Sequence, residues 1–137
     1  PSVGIKRTKW DKVFSDYIRE RDHWTCQRCL KTYNKYNPNG RRALHCSHYI
    51  GRSNWSTRIE PTNAMALCYG CHRFLGSNPS DHKRLWQSRF SVKERRLLKQ
   101  RKNTKPNIQK KYVATEENYK RLKNMLKEVS DMNEFDW

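Results

Sequence analysis

Four cysteines set in two Cys-x-x-Cys pairs, Cys26 with Cys29 and Cys68 with Cys71, frame a polar stretch containing Ser47, His48 and Asn63, and His72 follows the second pair directly. Two such pairs can close a tetrahedral four-thiolate zinc site. The 38 residues between the pairs exceed what a simple zinc ribbon needs, so they must hold a structural element of their own. The fifth cysteine, Cys46, is left over and reads as a buried thiol beside His48, with exchange into the ligand set as the alternative. The polar residues inside the frame are of the types that hydrolyse phosphodiesters. That reaction needs a base for water, a divalent cation to offset charge on the phosphorane and the leaving oxygen, and donors that fix the phosphate. His48, near the end of a strand, is the candidate base. Asn63 would orient the base or the loop backbone, or ligate the cation through its amide oxygen, and His72 would point into the same cleft and bind the cation. His45, an odd number of residues from His48, is expected on the other side of that strand.

The elements that must position these residues can be read from periodicity and turn chemistry. Phe14, Tyr17, Ile18 and Arg21 fall at helical spacing over Asp11 to Arg21, a helix of about three turns that packs on a core. Asn37-Pro38-Asn39-Gly40 reads as a turn or exposed loop within 34–42. Residues 43–50 read as a strand, 51–61 as a mobile basic loop, 63–67 as the returning strand, and the second cysteine pair as the start of a helix carrying His72 and Phe74. Asn78-Pro79 opens a further helix with Leu85, Trp86 and Phe90 on its apolar face. Ser91 and Glu94 form a capping box for another towards Arg101. Residues 101–111, with Pro106, read as a linker. Tyr119, Leu122, Met125, Leu126 and Val129 mark a last helix, whose stripe could cover the core or a second copy of itself. The acidic end (Glu128, Asp131, Glu134, Asp136) reads as a solvated tail.

Composition narrows the class. The chain has 137 residues, a formal charge of +17 and 34% hydrophobic residues, enough for one modest domain with much solvated basic surface. The N-terminal stretch lacks the apolar run of a secretory signal and no segment is long enough to span a membrane, so the expectation is a soluble, cytoplasmic protein. In a reducing compartment paired Cys-x-x-Cys motifs bind zinc more readily than they form disulfides. Four thiolates around Zn²⁺ remove two positive charges and leave the chain strongly basic, which points to nucleic acid as the polyanionic partner. Arg52 and Arg58, in the loop after His48, are candidate phosphate clamps. Residues 83–111 hold twelve Lys or Arg against one acid, Glu94. Lys83, Arg84 and Arg89 belong to that run, which would give a steep salt dependence and little base preference. Trp55 at the loop tip would stack on an unpaired base or serve as a hydrophobic anchor.

Together Cys26-x-x-Cys29, Ser47-His48-Tyr49, Asn63 and Cys68-x-x-Cys71-His72 resemble the HNH, or ββα-metal, nuclease motif. The resemblance is closer to phage recombination endonucleases of the NinG/Rap type. It rests on Phe14-Ser15-x-Tyr17-Ile18-Arg19 before Trp24-Thr25-Cys26, on Leu44-x-Cys46-x-His48-Tyr49-Ile50-x-Arg52, on Thr57-Arg58, and on Cys68-Tyr69-x-Cys71 followed by Gly76-x-Asn78. It covers roughly residues 11–90.

The resemblance implies an α+β fold: a small ββα-metal core with a structural zinc site, an N-terminal helix and a C-terminal helical extension. The nuclease domain would occupy 1–90, and a basic helical extension with an acidic tail 91–137. It implies a metal-dependent DNA endonuclease, with His48 as general base, Asn63 as the middle residue of the motif and His72 as metal ligand or phosphate contact. The substrate would be branched recombination intermediates (Holliday junctions, flaps, D-loops) of a phage, in the host cytoplasm, with Mg²⁺ or Mn²⁺ as the catalytic cation. Many such nucleases carry Asp or His just before the base, where this chain has Ser47, a poor ligand. Weak affinity for free metal, completed by substrate, is then expected, with His45 or Cys46 as outside ligand candidates. Symmetric cutting of a junction would require a homodimer. The alternatives are an HNH enzyme that nicks ordinary duplex, as in genome packaging, and a non-catalytic zinc-ribbon module that binds nucleic acid.

Overall fold

The computed structural model describes residues 5–104 and 108–135. Helix α1 (Lys9–Arg21) starts two residues earlier than its apolar period because Thr8 caps it. Thr8 Oγ1 accepts from the Asp11 amide at 3.3 Å, and the Asp11 carboxylate accepts from the Thr8 amide at 2.8 Å, a closed capping box. Its apolar stripe buries Val13, Phe14 and Ile18. His23 and Trp24 follow in the left-handed region (φ 55° and 53°), turning the chain back towards the first cysteine pair.

The segment expected to be a turn holds a short helix, α2 (Pro38–Ala43). Asn37 accepts from the Asn39 amide at 2.9 Å and Pro38 supplies a preset first helical residue, so the same Asn-Pro chemistry that reads as a turn caps a helix instead. Gly40 lies against the Asn34 carbonyl, where a Cβ would collide. Strand β1 (Leu44–His48) then pairs antiparallel with β2 (Ala64–Cys68), with Leu44 opposite Cys68 and His48 opposite Ala64. The loop between them is structured: α3 (Trp55–Arg58) and a 3₁₀ turn (Pro61–Asn63) occupy much of it. Helix α4 (Tyr69–Gly76) follows β2 directly, with Cys68 as its cap residue.

A two-stranded ribbon is marginal by itself. Here α1 and α4 both pack on it, and successive β1 side chains divide between them. The His48 ring lies 5.7 Å from Phe14 of α1, while His45 lies 5.2 Å from His72 of α4. The remaining helices are α5 (Pro79–Arg89), α6 (Val92–Lys102), α7 (Lys110–Val113) and α8 (Glu116–Phe135). Asn78 does not cap α5 with its side chain; it donates to the Phe74 carbonyl at 2.7 Å and closes the end of α4. Trp86 of α5 is fully buried, bonded through Nε1 to the Thr62 carbonyl at 2.9 Å and stacked on Tyr49 at 4.2 Å.

The apolar stripe of α8 covers α1 of the same chain. Trp10 Nε1 donates to the Thr115 carbonyl at 2.8 Å, Lys9 pairs with Glu116 at 2.7 Å, and Asn133 donates to the Glu20 carbonyl at 2.7 Å. The acidic end is therefore pinned as far as Asn133; Asp136 lies outside the described residues. One hydrophobic cluster runs from Phe14 and Leu67 through Leu98, Val113 and Leu122, across the boundary expected near residue 90. The stretch read as a linker contains the end of α6 and the first two residues of α7, and its residues 105–107, Pro106 included, lie outside the described residues. Among the described residues no helix is long and apolar enough to cross a membrane. The architecture is α+β, a small sheet between helices with a four-cysteine cluster at one end.

Candidate metal centre and arginine-lined cleft

The Sγ atoms of Cys26, Cys29, Cys68 and Cys71 all lie within 4.8 Å of one another, so the cluster can hold a metal ion such as zinc. Cys29 and Cys68 Sγ are 3.8 Å apart, about the edge of a tetrahedron with Zn–S bonds of about 2.3 Å. Both pairs are knuckles: the Cys29 amide points at Cys26 Sγ (3.5 Å) and the Cys71 amide at Cys68 Sγ (3.4 Å). The first knuckle closes through Leu30, a non-glycine residue at φ 66°. Four thiols this close resist sharing charge. Burial raises Cys26, but the backbone amides of Cys29, Cys68 and Arg28 outweigh it and bring the thiol down to about 7. Burial and the neighbouring thiols of Cys68 and Cys26 push Cys71 up to about 12. A divalent cation resolves this conflict by taking all four as thiolates.

The second site is a cleft of about 530 Å³ along the open edge of β1, between α1 and α4. Three expected residues, His48, His72 and Arg52, meet there. His48 Nε2 donates to the Arg58 carbonyl at 2.9 Å, which leaves the lone pair on Nδ1. Burial, with the Arg52 charge adding to it and the carbonyl bond opposing it, lowers His48 to about 4, so the ring is neutral at pH 7. Arg52 carries Nε and Nη2 buried without a hydrogen-bond partner among the described residues. Buried guanidinium nitrogens in that state call for an anion.

His45 also lines this cleft. Its strand parity is as expected, facing α4 while His48 faces α1, but the cleft wraps the unpaired strand edge and admits both. His45 Nδ1 and His72 Nδ1 are 3.0 Å apart. His45 Nε2 donates to the Arg42 carbonyl at 3.0 Å, so its Nδ1 is the acceptor. Burial holds both rings below their ordinary pKa, and the paired ring adds to this at His72. The separation is near that of adjacent nitrogen ligands on a metal with bonds of about 2.1 Å. Ser47 is buried, 2% exposed.

Several expected contacts lie elsewhere. Asn63 is fully buried: its Oδ1 accepts from the Ile50 amide at 2.7 Å, and its Nδ2 donates to the carbonyls of Ile50 (3.0 Å) and Thr57 (2.9 Å). It holds the loop that carries Arg58 and is not placed to ligate a cation in the cleft. Arg58 is not a phosphate clamp. Its side chain is buried against Asp11, with Nε–Oδ1 2.9 Å and Nη2–Oδ2 2.7 Å, and Nη2 also donates to the Lys6 carbonyl. It contributes to the cleft through its backbone. Asp11 is lowered to about 2, because the Arg58 and Thr8 bonds outweigh the effect of burial. Trp55 packs against this ion pair, with the Arg58 guanidinium 4.0 Å from its ring, which is the anchor reading rather than an offered stacking face. Arg89 is tied to buried Asp22 at 2.8 Å, Arg84 pairs with Asp81 at 2.5 Å, and Lys83 is exposed on α5; none lines the cleft.

Cleft residues that the sequence reading passed over come from α1, α2 and the segment before α1. Arg19 donates through Nε to the Leu44 carbonyl at 2.8 Å, and Arg7 to Ser15 at 2.8 Å. Arg41 and Arg19 share Asp16 at 2.6 and 3.2 Å, and Arg42 stands beside His45. The signal was present in the four-residue spacing of Asp11, Ser15 and Arg19, a polar row beside the apolar one on α1. Cys46 faces the same region, and burial pushes its thiol up to about 12. No protein-family model matches this chain, and no curated protein or solved structure matches it.

Proposed function

We propose that the protein is a metal-dependent DNA endonuclease of the HNH, ββα-metal, class. The observation that carries this reading is a neutral imidazole with its Nδ1 lone pair free, in one cleft with a guanidinium whose Nε and Nη2 have no partner among the described residues and a pair of facing histidines. The strand, loop, strand and helix order of β1 to α4 is the arrangement that such a core has.

In this mechanism His48 Nδ1 takes the proton from a water as that water attacks phosphorus, and the bond to the leaving oxygen breaks. The Arg58 carbonyl holds the ring in the tautomer that makes this feasible. Arg52 and Arg42 bind the non-bridging oxygens, and Asn63 keeps the loop in place from below. A divalent cation held by His45 and His72 would offset charge on the phosphorane and leaving oxygen. Two imidazoles favour Mn²⁺ over Mg²⁺, and His45 here takes the part that Ser47 cannot. The guanidinium groups around the cleft disfavour a free cation, so metal affinity rises when a phosphate is present. The substrate is DNA at branched recombination intermediates of a phage, in keeping with the NinG/Rap-type resemblance.

The test is cleavage of labelled four-way junction, flap, single-stranded and plain duplex DNA with Mn²⁺ or Mg²⁺, native protein against His48→Ala. Cutting of branched DNA that falls about 10²–10⁴-fold in the variant supports the enzyme and its base together. Equal cutting of plain duplex indicates a general nicking enzyme. Binding without cleavage under either metal sinks the nuclease and leaves a zinc-ribbon binding module.

A further inference from the structure

The cleft does not use the most basic element of the molecule. Helix α6 carries six Lys or Arg in eleven residues, and only Leu98 is buried. Its one acid, Glu94, is committed to the capping box with Ser91. Arg101 points inward, paired with Glu60 at 3.0 Å and bonded to the Ser56 carbonyl. Among the described residues no carboxylate pairs with Lys93, Arg95, Arg96, Lys99 or Lys102. At 100° per residue, Arg95, Arg96, Lys99 and Lys102 fall on one side of the helix. An open depression of about 550 Å³ on that side is lined by Val92, Arg95, Arg96, Lys99, Gln100 and Asn103. Arg95 is held by its Nε bond to the Phe90 carbonyl at 3.1 Å, which leaves its terminal nitrogens for an external partner.

Cations three and four residues apart weaken a helix, so this row is unfavourable in an isolated protein. A row of phosphates relieves it. Arg95 to Lys102 spans about 10 Å along the axis, against one phosphate per about 3.4 Å of duplex axis on each strand. The amides of Gln100 and Asn103 add neutral donors of the kind that bond phosphate and sugar oxygens. This face shares no residue with the cleft. Helix α6 packs on α3 and the 3₁₀ turn, so it stands behind the loop whose Arg58 carbonyl orients His48.

We infer that the outer face of α6 is a second phosphate-backbone site, which holds a duplex arm of the same DNA while a different backbone segment occupies the cleft. This rests on the nuclease reading for the role of the cleft, but its test does not require cleavage. Fluorescence anisotropy, without added Mn²⁺ or Mg²⁺, would compare a four-way junction with a short linear duplex over a range of KCl. The proteins are the native chain, the triple variant Arg95→Gln, Arg96→Gln, Lys99→Gln, and Arg52→Gln. Glutamine keeps helix propensity at these surface positions, so the triple variant should fold. The inference expects the triple variant to lose about tenfold or more in junction affinity and to flatten the junction salt slope by up to about 3. Its affinity for the short duplex should stay near native, whereas Arg52→Gln should weaken both. Unchanged junction affinity, or equal losses on junction and duplex, would overturn it. If the native protein binds as expected but cuts nothing, the nuclease reading falls and the second site stands.

Discussion

The two clusters of ligand-type side chains in this molecule are built on opposite plans. The cysteine cluster draws four groups of one kind onto a single point, with amides aimed at the sulfurs and the Arg28 guanidinium at its edge, 3.5 Å from Cys71 Sγ. The cleft mixes three histidines, several arginines and two carboxylates, and it leaves Nε and Nη2 of Arg52 without a partner among the described residues. A saturated site has nothing left to offer a substrate and can only hold chain segments together. An unsaturated one costs stability, because its buried polar atoms wait for a partner, and that cost marks it as the place where a ligand binds. The difference teaches which cluster to disturb when asking about folding and which when asking about chemistry.

The largest effect should come from the saturated site. The cysteine knuckle at 26–29 joins the end of β2 and the start of α4 chiefly through the cluster, with Gln27 N donating to Ala66 O at 2.9 Å and the Arg28 guanidinium lying 4.1 Å from the Phe74 ring. A structural zinc site contributes on the order of 10 kcal/mol of apparent binding free energy. Chelation should therefore unfold the protein, seen as lost cooperativity in a thermal melt followed by circular dichroism. A chelated protein that still melts cooperatively at the same temperature would show that the cluster is not structural.

Next is the buried ion pair beneath the cleft. Asp11→Ala leaves the Arg58 charge buried at 4% side-chain exposure and should cost about 3–5 kcal/mol in urea unfolding. Removing both charges, Asp11→Leu with Arg58→Met, should recover most of that, because the penalty lies in the unpaired charge. Recovery of stability without recovery of cleavage would separate the fold's need for the pair from the cleft's need for the Arg58 carbonyl at its present place.

How much of this was readable beforehand follows the same division. Cys-x-x-Cys spacing reports directly on a closed site, because the chain itself fixes the distance between the two thiols of a pair. Helix α1 and the β1, β2, α4 order were legible from period and turn residues, and His48, His72 and Arg52 do meet. What was not legible depended on where an edge or a partner lies. Arg58 reads as an exposed clamp until Asp11, 47 residues away, is seen to take it. His45 was assigned correctly to the far face of β1, but parity cannot tell that the cleft wraps the strand edge. Asn37-Pro38 signals a turn and a helix cap equally well, and tertiary packing of Gly40 on Asn34 decided for the helix.

Acid should sharpen the contrast further. His48 is lowered from about 6.5 unfolded to about 4 folded, so the unfolded chain takes up a proton first as pH falls. The stability linked to it is fully present above pH 6.5 and is lost down to pH 4, about 3 kcal/mol in all. Burial lowers His45, His72 and His82 in the same direction, which adds to the slope. Asp11, lowered to about 2, contributes its loss only below its unfolded value of 3.8. Stability measured against pH should thus fall in two stages, and His48→Gln should reduce the first and spare the second. On the nuclease reading, with His48 as the base, cleavage should show no titration of the base near pH 6.5. A rate that halves near pH 6.5 would mean that the catalytic imidazole is not the half-buried His48.

The smallest expected effect lies back in the cysteine knuckle and runs in the opposite direction. Leu30 closes the first knuckle with φ 66° and is 69% exposed, so its side chain gains little from packing while its Cβ meets the strain of the left-handed region. That conformation costs a non-glycine residue about 1–2 kcal/mol. Glycine adopts it freely, at the cost of a more flexible unfolded chain of about 0.5–1 kcal/mol. Leu30→Gly should therefore raise stability by about 0.5–1 kcal/mol, measured by urea unfolding of the zinc-loaded protein, and leave cleavage unchanged. A loss of stability instead would mean that the added freedom of the unfolded chain outweighs the strain relieved at residue 30. A stabilising single substitution beside a metal cluster, with activity intact, is expected only if the cluster serves the fold and the cleft serves the chemistry.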